Sequence, residues 1–117
     1  MRKDIRMVVR GHTSCYPEPL RFRQGDELDV GKWDDEYPGW VWVTAGSGAG
    51  GWAPEEYLET AGSRAKARRD YDSTELDTVR GQRVSVVLEL CGWALVDDES
   101  GTRGWVPAET LGNPEKK

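Results

Sequence analysis

Shifting the sequence by 53 positions lays residues 39–58 on residues 92–111 with ten identities and no gap. Gly39-Trp40 falls on Gly92-Trp93, and Val43 on Val96. Ser47-Gly48 falls on Ser100-Gly101, and Gly51-Trp52 on Gly104-Trp105. Pro54, Glu56 and Leu58 fall on Pro107, Glu109 and Leu111. Tryptophan and proline are rare residues, so chance does not produce this match, and a fixed period means a repeated structural unit. Upstream the match continues with small slips. Leu20 and Gly25 match Leu76 and Gly81 at an offset of 56, and Val8 matches Ala67 at 59. Insertions confined to loops are what duplicated modules show.

A duplication within 117 residues leaves under 60 for each copy. Domains of that size bury only about 60% of their unfolded surface, so each is marginal alone and packing of one on the other is expected to help. The boundaries read as 1–59 for the first module, 60–66 (TAGSRAK) for a polar linker and 67–117 for the second module.

Within each copy the periodicity is two. Leu28 and Val30 alternate with Glu27 and Asp29; Val84, Val86, Leu88 and Leu90 alternate with Ser85, Val87 and Glu89. Trp40-Val41-Trp42-Val43 is aromatic and β-branched. These are strand signals. Ser47-Gly48 and Ser100-Gly101 read as hairpin turns. Helix is limited to single turns at Glu55–Tyr57 and Ala108–Thr110. The expected core is Val8, Leu20, Phe22, Leu28, Val30, Val43, Ala53 and Leu58 in copy one. In copy two it is Ala67, Leu76, Val84, Val86, Val96, Val106 and Leu111, with Thr78 in the place of Phe22. Six tryptophans and 14 glycines suit small β-barrels with tight turns.

Composition excludes several function classes. The net charge of −5 and a pI near 4.9 argue against a phosphate-binding stripe and an anionic membrane surface. No stretch of about 18 apolar residues is present, and the first residues lack the apolar core of a secretory signal. The expected compartment is the cytoplasm. His12 is the single histidine, and Cys15 and Cys91 are the two cysteines, far apart. No disulfide framework, metal site or cofactor is expected. His12 and Cys15 invite a nucleophilic dyad, but no orienting third group or oxyanion donor accompanies them. Glu55-Glu56 and Asp97-Asp98-Glu99 are neighbours in turns and do not face each other across a substrate. GSGAGG at 46–51 lacks the Lys-Ser/Thr and following helix of a phosphate loop. The chain reads as a non-enzyme.

The ordered segments resemble the Src-homology-3 (SH3) family, variant SH3 included, as found in bacterial tandem SH3-domain proteins. Copy one reads VVRGH (8–12), LRFRQGDEL (20–28), GWVWV (39–43) and GWAPEEYL (51–58). Copy two reads ARRDY (67–71), LDTVRGQRV (76–84), GWALV (92–96) and GWVPAETL (104–111). The resemblance implies an all-β fold of two tandem SH3-like small β-barrels. It also implies a shallow aromatic groove for an extended, Pro-rich or cationic peptide in the polyproline conformation.

Carried over by position, the groove of copy one is His12, Trp40, Pro54 and Tyr57, with Trp33 on its rim. That of copy two is Tyr71, Trp93 and Pro107. Acidic partners for a ligand cation are Glu18, Asp34, Asp35 and Glu36 in copy one, and Asp72 and Glu75 in copy two. Arg10, Arg69 and Thr110 stand where the family has aromatics, so copy one retains the fuller groove and is the expected main site. Trp52 and Trp105 read as flank packing, and Trp42 as pointing away from the core. The alternative is a structural or assembly protein whose tryptophans hold the modules or a dimer together. A weaker third reading is an RNA-associated Tudor or KOW barrel, against which the acidic charge counts.

Overall fold

The computed structural model describes residues 4–14 and 18–112. Its eleven strands in these residues are β1 (Asp4–Met7), β2 (Arg21–Phe22), β3 (Glu27–Trp33), β4 (Trp40–Thr44), β5 (Gly50–Pro54), β6 (Leu58–Ala61), β7 (Arg64–Ala67), β8 (Tyr71–Asp72), β9 (Arg83–Leu90), β10 (Trp93–Asp98) and β11 (Arg103–Pro107). Two 3-10 turns, Glu55–Tyr57 and Ala108–Thr110, are the helical elements among the described residues. The fold is all-β, with antiparallel strand pairing, as the period of two requires. The repeat is visible in it: β3, β4, β5 and the first 3-10 turn recur as β9, β10, β11 and the second.

The chain divides into two compact units, and the division is not the expected one. One unit is Tyr16–Thr74, continuous in sequence; the other joins Met1–Cys15 to Glu75–Lys117 and is split. The expected linker is structured. Residues 58–61 and 64–67 form a hairpin, with Ala61 opposite Arg64 and Gly62 at φ 62°. Glycine at the first central position of a two-residue loop is the type II′ signature, whose twist matches that of paired strands. The chain therefore reverses at Gly62-Ser63 and runs back along β3 (Glu27 opposite Lys66, Leu28 opposite Ala65). It never leaves the module that it has just built.

The leading segment of copy two, 67–72, thus closes the continuous unit. Ala67 N–H donates to Asp26 O, Gly25 N–H to Ala67 O and Arg68 N–H to Tyr57 O. Tyr71 lies opposite Phe22 in the β2–β8 pair. The leading segment of copy one does the same for the split unit. β1 pairs with β9, and Val8 bridges to Leu111. Val8 N–H donates to Gln82 O, Gly81 N–H to Val8 O and Val9 N–H to Thr110 O. His12 bridges to Thr78. Each bond in one unit has its counterpart in the other, so the two leading segments have traded copies.

The cores follow. In the split unit Val8, Leu76, Val84, Ala94, Val96, Val106 and Leu111 form one buried cluster, with Val86 half-buried against it. Val8 stands there in place of the expected Ala67, and Ala67 is buried instead in the continuous unit. That unit buries Leu20, Phe22, Leu28, Val41, Val43, Ala53, Leu58 and Ala65 as well. Val30, expected in the core, is half-buried beside a one-residue irregularity in the β3–β4 register. No helix among the described residues is long and apolar enough to cross a membrane.

Candidate functional site

The trade of leading segments regroups the residues assigned to the two grooves. His12 was expected with Trp40, Pro54 and Tyr57; it lies instead in the split unit with Trp93. Tyr71 was expected with Trp93 and Pro107; it lies in the continuous unit with Tyr57. The physical reason is the II′ turn, which fixes where residues 67–72 go and leaves copy two to be closed by residues 4–14.

In the split unit, β10 and β11 set Trp93 opposite Pro107. Trp93 is half-buried and Pro107 is buried. The bridge to Thr78 holds the His12 backbone, and its ring meets Trp93 edge-on, with centroids 5.7 Å apart at 83°. His12 Nε2 lies 2.8 Å from Glu75 Oε1, with side-chain exposures of 15% and 13%. Glu75 is anchored by a parallel bridge to Trp105, and the next residue, Leu76, donates its N–H to Trp105 O. Trp105 itself is buried, as a packing residue should be. Thr110, at the position that Tyr57 holds in the other unit, is buried and donates its hydroxyl to Pro107 O. Arg10 ion-pairs with Glu109 at 2.6 Å on the exposed rim. This is a half-open aromatic edge whose histidine is backed by a carboxylate, with apolar surface for a proline or aliphatic side chain.

In the continuous unit, Trp40 lies opposite Pro54 across β4 and β5. Tyr57 and Tyr71 meet edge-to-face at 5.7 Å and 82°, and Tyr71 also stacks obliquely on Phe22 at 5.3 Å. The Tyr71 hydroxyl donates to Trp52 O at 2.8 Å. The Arg69 guanidinium sits 4.4 Å from the centre of the Tyr57 ring and covers that face with the chain's own cation. The aromatic set is closed: Trp40 is 4% exposed, Tyr57 6% and Tyr71 8%, with Pro54 fully buried. Trp40, assigned to the groove of copy one from the sequence, is a buried residue.

Of the other residues assigned to the groove of copy one, Trp33, at 47%, and Asp35, Glu36 and Glu18 are exposed. The Asp34 carboxylate accepts the N–H groups of Glu36 and Tyr37, which fixes the acidic loop. Asp72, assigned to copy two, faces Arg21 in this unit at 3.0 Å. Burial pushes its carboxyl up, but the Thr74 hydroxyl and N–H and the Arg21 guanidinium outweigh that and hold it below the usual range.

On the outer face, Trp42 and Trp52 meet edge-to-face at 5.4 Å, both half-buried. Cys91 is exposed in the β9–β10 turn with φ 48°, and Cys15 lies outside the described residues. Among the described residues no group of three or more His, Cys, Asp or Glu side chains could hold a metal ion. Sequence reasoning named His12, Glu75, Trp93 and Pro107 but assigned His12 to copy one and the others to copy two, whereas His12 lies beside Trp93 and Glu75. The missed signal is the Gly62-Ser63 dipeptide, a two-residue hairpin turn flanked by residues with strand pairing on both sides.

No curated protein and no solved structure matches the chain. Residues 7–61, a span just short of half the chain, match the family model of the variant SH3 domain, which supports a protein-interaction module in general.

Proposed function

We propose that this chain is a non-catalytic peptide-binding protein, an adaptor or scaffold of the cytoplasm built from two SH3-like units. Its principal site is the edge formed by Trp93, His12 and Glu75. The observation that supports this reading is the half-buried Trp93 ring, set edge-on to His12, whose Nε2 lies 2.8 Å from the Glu75 carboxylate. An extended peptide with proline or aliphatic side chains would lie on the indole, with a Lys or Arg near Glu75. Trp33 and the Asp34–Glu36 loop offer a second, weaker surface of the same chemistry in the continuous unit, because the Trp33 ring and the Asp35 and Glu36 side chains are exposed while Trp40 and Tyr57 are not. The test is a nitrogen-15 NMR titration of the whole chain with Pro-rich peptides that carry one arginine. Shifts centred on the Trp93 indole and the His12 amide support the site. Shifts elsewhere, with both of these unmoved by every peptide, remove it.

A second reading, a structural protein whose aromatics serve packing, is favoured by the burial of Trp40, Tyr57 and Trp105. It predicts that no peptide moves Trp93 and that Trp40→Ala unfolds the continuous unit.

A further inference from the structure

Each unit carries an arginine at the same backbone station. Val9 N–H donates to Thr110 O and Arg68 N–H to Tyr57 O, and Arg10 and Arg69 directly follow these donors. A glutamate precedes each acceptor, Glu109 and Glu56. The two arginines nevertheless sit differently. Thr110 offers no ring, and Arg10 pairs with Glu109 at 2.6 Å. Tyr57 does offer one, and the Arg69 guanidinium lies 4.4 Å from its centre. Arg69 and Glu56 are both exposed, and neither makes an ion pair among the described residues. The structure thus holds both seats open to such an arginine: a carboxylate in one unit and a ring face in the other. Exposed cation–π contacts and exposed ion pairs are each weak and similar in strength, so neither seat holds an arginine firmly.

We propose that Arg69 is a latch on the continuous unit. Seated on Tyr57, it fills a cation seat with the chain's own guanidinium; moved to Glu56, it frees that face for the arginine of a partner peptide. The occupant follows from the seat, which already holds a guanidinium flat enough to cover a ring. Glu55 and Glu56, in the turn that carries Tyr57, add the negative charge that draws a cationic peptide. The latch lies within the continuous unit and does not depend on the Trp93 edge. With two seats of similar strength, it reduces the affinity of Tyr57 for such a peptide about threefold.

The experiment is an NMR titration of the full chain and of Arg69→Ala with a Pro-rich peptide that carries one arginine, read at the Tyr57 ring protons and the Trp93 indole. Arg69→Ala should lower the peptide midpoint at Tyr57 about threefold and leave that at Trp93 unchanged. A second measurement uses no peptide. The Tyr57 ring current shifts the Arg69 δ protons upfield. Glu56→Gln removes the alternative seat and should move them further upfield.

The latch is overturned if Tyr57 does not respond to the peptide in Arg69→Ala, or responds with the midpoint of the unaltered chain. It is also overturned if Glu56→Gln leaves the Arg69 δ protons in place. The two sites fail separately in the same spectra. A silent Trp93 with a responding Tyr57 removes the Trp93 edge and keeps the latch; the reverse removes the latch alone.

Discussion

The two units share a strand plan and differ in how the plan is completed. In Tyr16–Thr74 the closing strand follows the body of the unit directly: Arg68 reaches back ten positions to donate to Leu58 O. In the split unit closure spans almost the whole sequence: Arg10 meets Glu109 across 99 positions. Loop-closure entropy grows only logarithmically with separation, so the longer closure costs little extra stability. Its kinetic consequence is larger, because distant contacts form late. The units differ in filling as well. Phe22 occupies the position that Thr78 holds in the split unit, and the Thr78 hydroxyl is buried there with no hydrogen-bond partner among the described residues. The unit with the fuller aromatic core has the closed groove, and the thinner one has the half-open tryptophan. One turn and a few side chains separate the two copies of the repeated sequence.

Removing residues 1–14 should have the largest effect, since it takes β1, Val8 and His12 from the split unit and nothing from the described part of the other. Loss of the Val8 side chain alone is worth about 2 kcal/mol, and the truncation should unfold the split unit while backbone signals of β3 to β7 persist. Collapse of both sets together would break the comparison.

Next come the paired glycines at 51 and 104. A Cβ at Gly104 would lie 2.7 Å from Leu76 N and 3.0 Å from its Cα; at Gly51 it would lie 2.8 Å from Leu20 Cβ. Overpacking of this kind costs about 1–3 kcal/mol. Gly104→Ala should be the worse of the two, because backbone must move, and denaturant melts of the two variants rank them.

Gly62→Ala places a side chain at φ 62° in the II′ turn and should cost about 1–2 kcal/mol. Only the continuous unit should lose stability if β6–β7 belongs to it alone.

Thr78→Val removes the orphaned hydroxyl and keeps the shape. The split unit should gain about 1 kcal/mol, seen as a higher midpoint in its urea transition.

The smallest effect concerns acid. Asp98 is held below the usual carboxylate range by the Ser100 hydroxyl and the Thr102 N–H, with the Ser100 and Gly101 N–H groups adding to them. A depressed folded value means stability that is present above the ordinary carboxylate pKa and lost as pH falls through the folded one. The corresponding residue in the continuous unit is Ala45, so the acid dependence should appear in the split unit's β10–β11 hairpin and vanish in Asp98→Asn.

Much of this was legible beforehand. Alternation at Leu28–Val30 and Val84–Leu90 marked strands. Pro54 and Pro107 marked the start of the two 3-10 turns, and the repeat assigned equivalent strands to each copy. What could not be read was the partner of each leading segment. VVRGH and ARRDY both carry the pattern that fits an SH3-like unit, and alternation says only that a strand has an inner face, not which core receives it. Trp40 shows the same limit: its place on β4 was clear, but its 4% exposure depends on what surrounds it.

Sequence by itself determined the all-β class and the turn positions, because these follow from local periodicity and local backbone preference. Only the tertiary structure decided that His12 meets Glu75 and Trp93 while Tyr71 meets Tyr57 and Phe22. Two near-equivalent segments competed for two near-equivalent units. The choice rests on the turn at Gly62 and the β3–β7 pairing that follows it, which leave His12 to meet Glu75 across 63 positions, terms that no window of neighbouring residues contains.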